Sequence, residues 1–97
     1  MSMMEICVRS ALSISKILPG RVISLTLPGG STLHDLLREL TRVYGQAFYD
    51  AVCDETGYPD NKVAILVNGS SAAATGGVGI KLKDGDDVLI MPVIAGG

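Results

Sequence analysis

Few side chains in this sequence could do covalent chemistry. His34 is the one histidine, and Cys7 and Cys53 are the two cysteines. The cysteines do not stand in a Cys-x-x-Cys spacing, and with so few companions they make no metal site. Cys7, between Ile6 and Val8, reads as a small strand residue and Cys53 as a free thiol. A disulfide between them stays open, because the sequence does not fix their separation in space. His34 has no second ligand beside it and reads as a surface residue in the first turn of a helix. Asp84, Asp86 and Asp87 belong to Lys-Asp-Gly-Asp-Asp, where turn formation and solubility account for them. The glycine-rich run from Thr75 to Gly85 lacks the Gly-Lys-Ser/Thr ending of a phosphate-binding loop and does not match G-x-G-x-x-G, so it reads as turn structure. One histidine and two separated cysteines spell no nucleophile and base pair in the sequence, which leaves open a meeting of distant residues in space.

What remains is the last carbonyl. The sequence closes Asp-Asp-Val-Leu-Ile-Met-Pro-Val-Ile-Ala-Gly-Gly: an apolar run suited to a buried strand passes into Ala95, Gly96 and Gly97. Glycine brings no side chain to packing and loses the most freedom on ordering, so a fold gains little from it there. A reaction at the carboxylate would gain more. With a pKa of about 3.5 the α-carboxyl is an anion at neutral pH and a poor electrophile. An enzyme that adenylates it supplies AMP as leaving group, and the mixed anhydride can then accept sulfur or an amine. A bare, extended arm can reach such an enzyme's buried site, with the preceding strand and Pro92 anchoring its base.

The composition sets the frame for that arm. Ninety-seven residues make one domain, long enough to bury roughly 60–70% of the surface its unfolded chain exposes. A hydrophobic fraction of 47% argues against disorder, which needs low hydrophobicity and high net charge. A net charge of −2 and only four aromatic residues oppose nucleic-acid binding, which favours basic surfaces and stacking rings. No apolar run approaches the ~18 residues that span a bilayer, and Glu5 without a preceding basic run does not suit a signal peptide. The expectation is a cytoplasmic protein with neither nucleic acid nor membrane as partner.

The elements follow from periodicity. Met3 to Val8 reads as a first strand, and Arg9 to Gly20 as strand end and loop. Arg21 to Leu27 alternates Ile23, Leu25 and Leu27 against Ser24 and Thr26, the period of a half-buried strand. Thr32 and Asp35 form a candidate capping box for a helix. Its apolar stripe is Leu33, Leu36, Leu37, Leu40, Val43 and Tyr44, with Arg38, Glu39 and Arg42 on a solvated face and Gly45 as a left-handed C-cap. Gln46 to Cys53 extends or restarts the helix and brings Phe48 and Val52 to the core. Val63 to Val67 suits a strand buried on both faces, Asn68-Gly69 is a turn, and the stretch from Ser70 to Leu82 holds a short edge strand and a loop. Val88 to Val93 is the last strand. One amphipathic helix must cover its stripe on a sheet, the first two strands form a hairpin, and the last returns beside the first in the sheet's middle, with the chain end protruding beyond.

Four stretches, in order, carry a resemblance to a known family: Leu27 to Leu40 (LPGGSTLHDLLREL), Val63 to Gly69 (VAILVNG), Gly76 to Val88 (GGVGIKLKDGDDV) and Met91 to Gly97 (MPVIAGG). The chain resembles the ubiquitin-like sulfur carriers, most closely the small subunit of molybdopterin synthase. The resemblance implies an α+β, β-grasp (ubiquitin-like) fold, with a mixed four- to five-stranded sheet packed on one main helix. It implies a single domain over 1–97, with 94–97 a flexible C-terminal tail. Gly97 would be adenylated by an E1-like partner that consumes ATP and converted to a thiocarboxylate with a sulfur donor system. Gly96, Ala95 and Ile94 would form the approach, and Pro92 and Met91 the partner-binding base. The tail would enter the synthase large subunit, where its sulfur builds the dithiolene. The carrier itself would bind no cofactor or metal and have no autonomous active site. Met91 stands where the family often has an aromatic residue, Val93 where it often has a second proline, and Ser70-Ser71 replaces a common basic residue. Alternative destinations are thiamine or cysteine biosynthesis, or conjugation to lysines as a ubiquitin-like modifier. A plain β-grasp binding module, with an inert tail and a working sheet surface, is the remaining reading.

Overall fold

The computed structural model describes residues 2–18 and 22–93; the tail assigned to 94–97 lies outside these. Strands β1 (Met3–Ser10), β2 (Val22–Pro28), β3 (Val63–Val67), β4 (Ser70–Ser71) and β5 (Asp87–Pro92) form one sheet in the order β2-β1-β5-β3-β4. β1 and β5 run parallel, and the other neighbours are antiparallel. Helices α1 (Leu33–Tyr44), α2 (Gln46–Val52) and the single turn α3 (Ala72–Thr75) accompany the sheet. This is the expected β-grasp, with five strands.

Strand alternation and helix stripe meet in one core. Met4, Ile6 and Val8 face it from β1, opposite Leu27, Leu25 and Ile23 of β2. Val88 and Ile90 of β5 and Ile65 of β3 continue the layer, and Leu33, Leu36, Leu37 and Leu40 of α1, with Phe48 and Val52 of α2, close it. Each of these side chains that is fully buried contributes roughly 1.5–3 kcal/mol by leaving water, and the partly buried Ile23 and Leu25 less. The capping box forms as expected. Asp35 N donates to Thr32 Oγ1 at 3.3 Å, and Thr32 N donates to the Asp35 carboxylate at 2.9 Å. That backbone donor holds the Asp35 carboxyl below its ordinary value, against the opposing effect of burial.

Four local expectations need correction. Leu12–Lys16 is a 3₁₀ helix rather than loop, with Ile14 and Leu18 in the core; their i, i+4 spacing is a helical signal hidden in a serine-rich stretch. Val43 is exposed, because it lies about 60° round the helix from Leu40, at the stripe's margin. In β3 only Ile65 is buried, since the helices cover one face of the sheet and the other stays half-exposed. Gly45 takes φ 81° and ψ −161°, an extended positive-φ conformation open essentially to glycine alone, rather than a left-handed helical cap. It ends α1 and begins α2 at one residue.

Candidate functional site

The amino end of β5 is secured on both sides. Cys7 N donates to Asp86 O at 2.9 Å, Gly85 N to Glu5 O at 2.9 Å, and Asn68 N to Asp87 O at 2.7 Å. Side chains add a second layer. Glu5 N donates to Asp84 Oδ1 at 2.8 Å and Lys83 N to Asp86 Oδ2 at 2.7 Å. Asn68 sits at φ 51°, a left-handed position that asparagine tolerates. From there its Nδ2 donates to Asp86 Oδ1 at 3.0 Å, and its Oδ1 accepts from Asp87 N at 2.9 Å. Arg9 pairs with Asp87 at 2.6 Å, an exposed pair of small energetic weight. The aspartates read from sequence as turn formers are therefore also acceptors that tie this corner together.

The carboxyl end is simpler. β1 stops at Ser10, opposite Ile90, and Ala11 N donates to Ile90 O at 3.3 Å. From Met91 onward β5 pairs with β3 alone, Met91 opposite Ala64 and Pro92 opposite Val63, with Val93 N donating to Lys62 O at 2.7 Å. The alternation of these bonds shows which way each residue points its backbone groups. Odd-numbered residues of β5 turn them to β3 and even-numbered ones to β1. Pro92 is even. Its missing N–H would have pointed to the side where β1 has ended, so proline here leaves no orphan donor. Met91 and Pro92, both expected at the base of the tail, thus occupy the final residues of β5 and are half-buried. Ile94, Ala95, Gly96 and Gly97 lie outside the described residues.

Two surfaces flank this end. The sheet face away from the helices presents Ala64, Leu66, Leu89 and Met91, which the register sets as cross-strand neighbours, all half-exposed. On the helix side, Val93 borders an open, largely apolar groove of about 650 Å³ between β3 and α3, with Val63, Ile65, Ala72 and Tyr58 in its walls.

The remaining candidate side chains do not assemble. Both cysteines are free. Cys7 belongs to the outer face of β1, in register with Asp87 and Ser24, while Cys53 is buried in the core, which closes the question of a disulfide. Burial raises both thiols, with Asp87 adding to the effect at Cys7 and Asp54 at Cys53, so at neutral pH they are protonated and poor nucleophiles. His34 is half-buried and stacks on Tyr58 with ring centroids 5.8 Å apart. Among the described residues, no group of three or more His, Cys, Asp or Glu is placed to hold a metal ion, and no helix is long and apolar enough to cross a membrane.

Comparison with known proteins agrees with this architecture. Residues 17–97 match the ThiS family, while no curated protein sequence matches. Among solved structures, the HVO 2177 protein of Haloferax volcanii superposes with a TM-score of 0.83 at 27% identity, covering 98% of this chain and 88% of that one. Small archaeal modifier protein 1 of Methanosarcina acetivorans gives 0.78 at 25% identity, covering 99% of each chain. A Pyrococcus furiosus chain provisionally described as molybdopterin converting factor, subunit 1, gives 0.74 at 23% identity, covering 94% of this chain and 99% of that one. With the family matched over most of its length and the β-grasp shared throughout, this chain belongs to the ThiS family of ubiquitin-like sulfur carriers.

Proposed function

We propose that this protein carries sulfur on Gly97 and delivers it for molybdopterin synthesis, as the small subunit of a molybdopterin synthase. The observation that carries the reading is the end of β5. The central strand of the sheet runs past β1, loses one neighbour, passes Pro92 and leads directly into Ile94-Ala95-Gly96-Gly97. In this reading a carboxylate oxygen of Gly97 attacks the α-phosphorus of ATP on an E1-like enzyme and pyrophosphate leaves. A sulfide-level nucleophile from a sulfur donor system then forms the C–S bond as the C–O bond to AMP breaks. The adenylate and the sulfur chemistry belong to the partners; this chain supplies the carboxylate, its reach, and the body by which it is held. Met91, Pro92 and the half-exposed face beside them form the base that a partner grips, including the large subunit that would receive Ile94 to Gly97. The likeness to the Pyrococcus furiosus chain favours the molybdopterin destination.

The test is mass spectrometry after incubation with an E1-like adenylating enzyme, ATP and a sulfur donor. The expected product has one oxygen replaced by sulfur, and an unchanged mass would sink the reading. Adding the synthase large subunit and the cyclic pterin precursor should then form the dithiolene. A second reading, conjugation to protein lysines, is favoured by the likeness to a small archaeal modifier protein. Lysine adducts without dithiolene formation would select it.

A further inference from the structure

We infer that Leu12 is an anchor through which the enzyme acting on the terminal carboxylate grips this carrier; the inference rests on the proposed use of Gly97. Leu12 opens the 3₁₀ helix between β1 and β2 with φ 55° and 55% of its surface exposed. An exposed leucine alone is ordinary. At positive φ it is not, because the branched side chain crowds its own backbone in a region that glycine or asparagine occupies more easily. The core does not account for the choice, since the inward-facing residues of this segment are Ile14 and Leu18, at 3% and 4% exposure. The Ser15 hydroxyl, which donates to Leu12 O at 2.6 Å, would serve the turn equally with glycine at position 12. A strained residue that presents a large apolar group to solvent points outward for its purpose.

Its location says toward what. Ala11 N bonds Ile90 O at 3.3 Å, and the 3₁₀ helix packs against β5, so Leu12 stands at the carboxyl end of that strand. Val93, half-exposed at 50%, lies three positions beyond Ile90, and four more residues complete the sequence to Gly97. Fully extended, four residues span at most about 14 Å. An enzyme that encloses the carboxylate of so short an arm must rest its rim against the surface where the arm leaves the body. Among the described residues, Leu12 and, one strand further out, Val22 are the exposed large apolar side chains on the β1 side of that exit, and of the two only Leu12 has a positive φ. The occupant is therefore a nucleotide-dependent, acyl-adenylate-forming enzyme, with an apolar recess beside the channel that takes the arm.

The experiment is ATP–pyrophosphate exchange by the E1-like adenylating enzyme of the same organism, measured against carrier concentration. Its substrates are the full chain, Leu12→Gly, Leu12→Asn, Val43→Ala as an exposed apolar control, and a chain lacking Gly96 and Gly97. Leu12→Gly and Leu12→Asn should melt at or above the parent temperature, raise KM for the carrier at least about tenfold and leave kcat within about twofold. Val43→Ala should leave both constants unchanged. An unchanged KM for the two Leu12 variants would overturn the inference, as would an equal rise for Val43→Ala or a sharp loss of thermal stability in both Leu12 variants. Failure of the full chain itself to support exchange removes the Gly97 reading, and this inference with it. Exchange that survives loss of Gly96 and Gly97 does the same.

Discussion

β5 is gripped at one end and guided at the other. Where it begins, backbone bonds reach it from β1 and from the β3 turn, and the side chains of Asn68, Asp84 and Asp86 add a second layer. Where it ends, β3 alone remains alongside and a proline occupies the position whose donor would have had no strand to meet. The same strand thus resists displacement at its start and keeps its finish simple. A force applied to an arm beyond Val93 would be resisted by the buried Val88 and Ile90 and by the corner behind them. Two-sided anchoring and a one-sided finish are separated along a single strand of six residues.

That separation can be broken experimentally. Deleting Gly96 and Gly97 should have the largest effect on one side only: thiocarboxylate formation is lost by mass spectrometry, while the melting temperature is unchanged. Ile90→Ala, at the fully buried middle of the strand, should destabilise by about 2–5 kcal/mol in denaturant titration, because a cavity adds to the lost transfer energy. Asn68→Ala should lose about 1–3 kcal/mol through two lost solvent-exposed hydrogen bonds to Asp86 and Asp87 and the positive φ. Asn68→Gly should lose less because the backbone is relieved, and both should still charge with sulfur when folded. Equal stability losses from Pro92→Ala and Asn68→Ala would erase the contrast between the two ends. The smallest effect lies off the strand, at the Asp35 cap. Its folded pKa is depressed by the Thr32 N–H, so its contribution is full above the unfolded value near 3.9 and drains as pH falls toward the folded one. The stability gap between the parent and Asp35→Asn, about 0.3–1 kcal/mol at neutral pH, should therefore shrink as pH falls below roughly 4 in acid denaturation.

The parts of this fold that could be read in advance share a physical trait: their sequence signal is local. The capping box is spelled by Thr32 and Asp35, the stripe of α1 by leucines at helical spacing, and the alternation of β2 by Ile23, Leu25 and Leu27. The central place of β5 is the exception, a long-range pairing expected from the order of elements, in which a hairpin and a crossover helix bring the last strand back beside the first. What escaped notice depended on contacts between distant residues. The 3₁₀ helix after β1 is fixed by burial of Ile14 and Leu18 rather than by propensity, and α3 is a single turn in an alanine and glycine stretch too weak to read. The half-exposure of β3 could not be told from its apolar run, because Ala64 and Leu66 look the same whether a helix or a partner lies over them. At the site, Gly96 and Gly97 read from the sequence as residues with no packing role, and they lie outside the described residues. The Asn68 clamp was legible only as a turn, since its acceptor on Asp86 and its donor on Asp87 lie eighteen and nineteen positions away. Leu12 gave no sequence signal at all, because its meaning lies in a backbone angle.

The parallel pairing of Cys7 with Asp87 also sets a timetable for biosynthesis. These neighbours are separated by eighty positions (87 − 7), so while the ribosome is still at work the hairpin of β1 and β2 waits beside a vacant slot, with the leucines of α1 only partly covered. Contacts this remote in sequence are slow to form and exposed to aggregation until they do. The sheet closes only when its final strand threads the gap, and the five residues from Val93 to Gly97 follow that strand. A chain cut short before β5 therefore lacks both the strand that joins β1 to β3 and the residues that follow it.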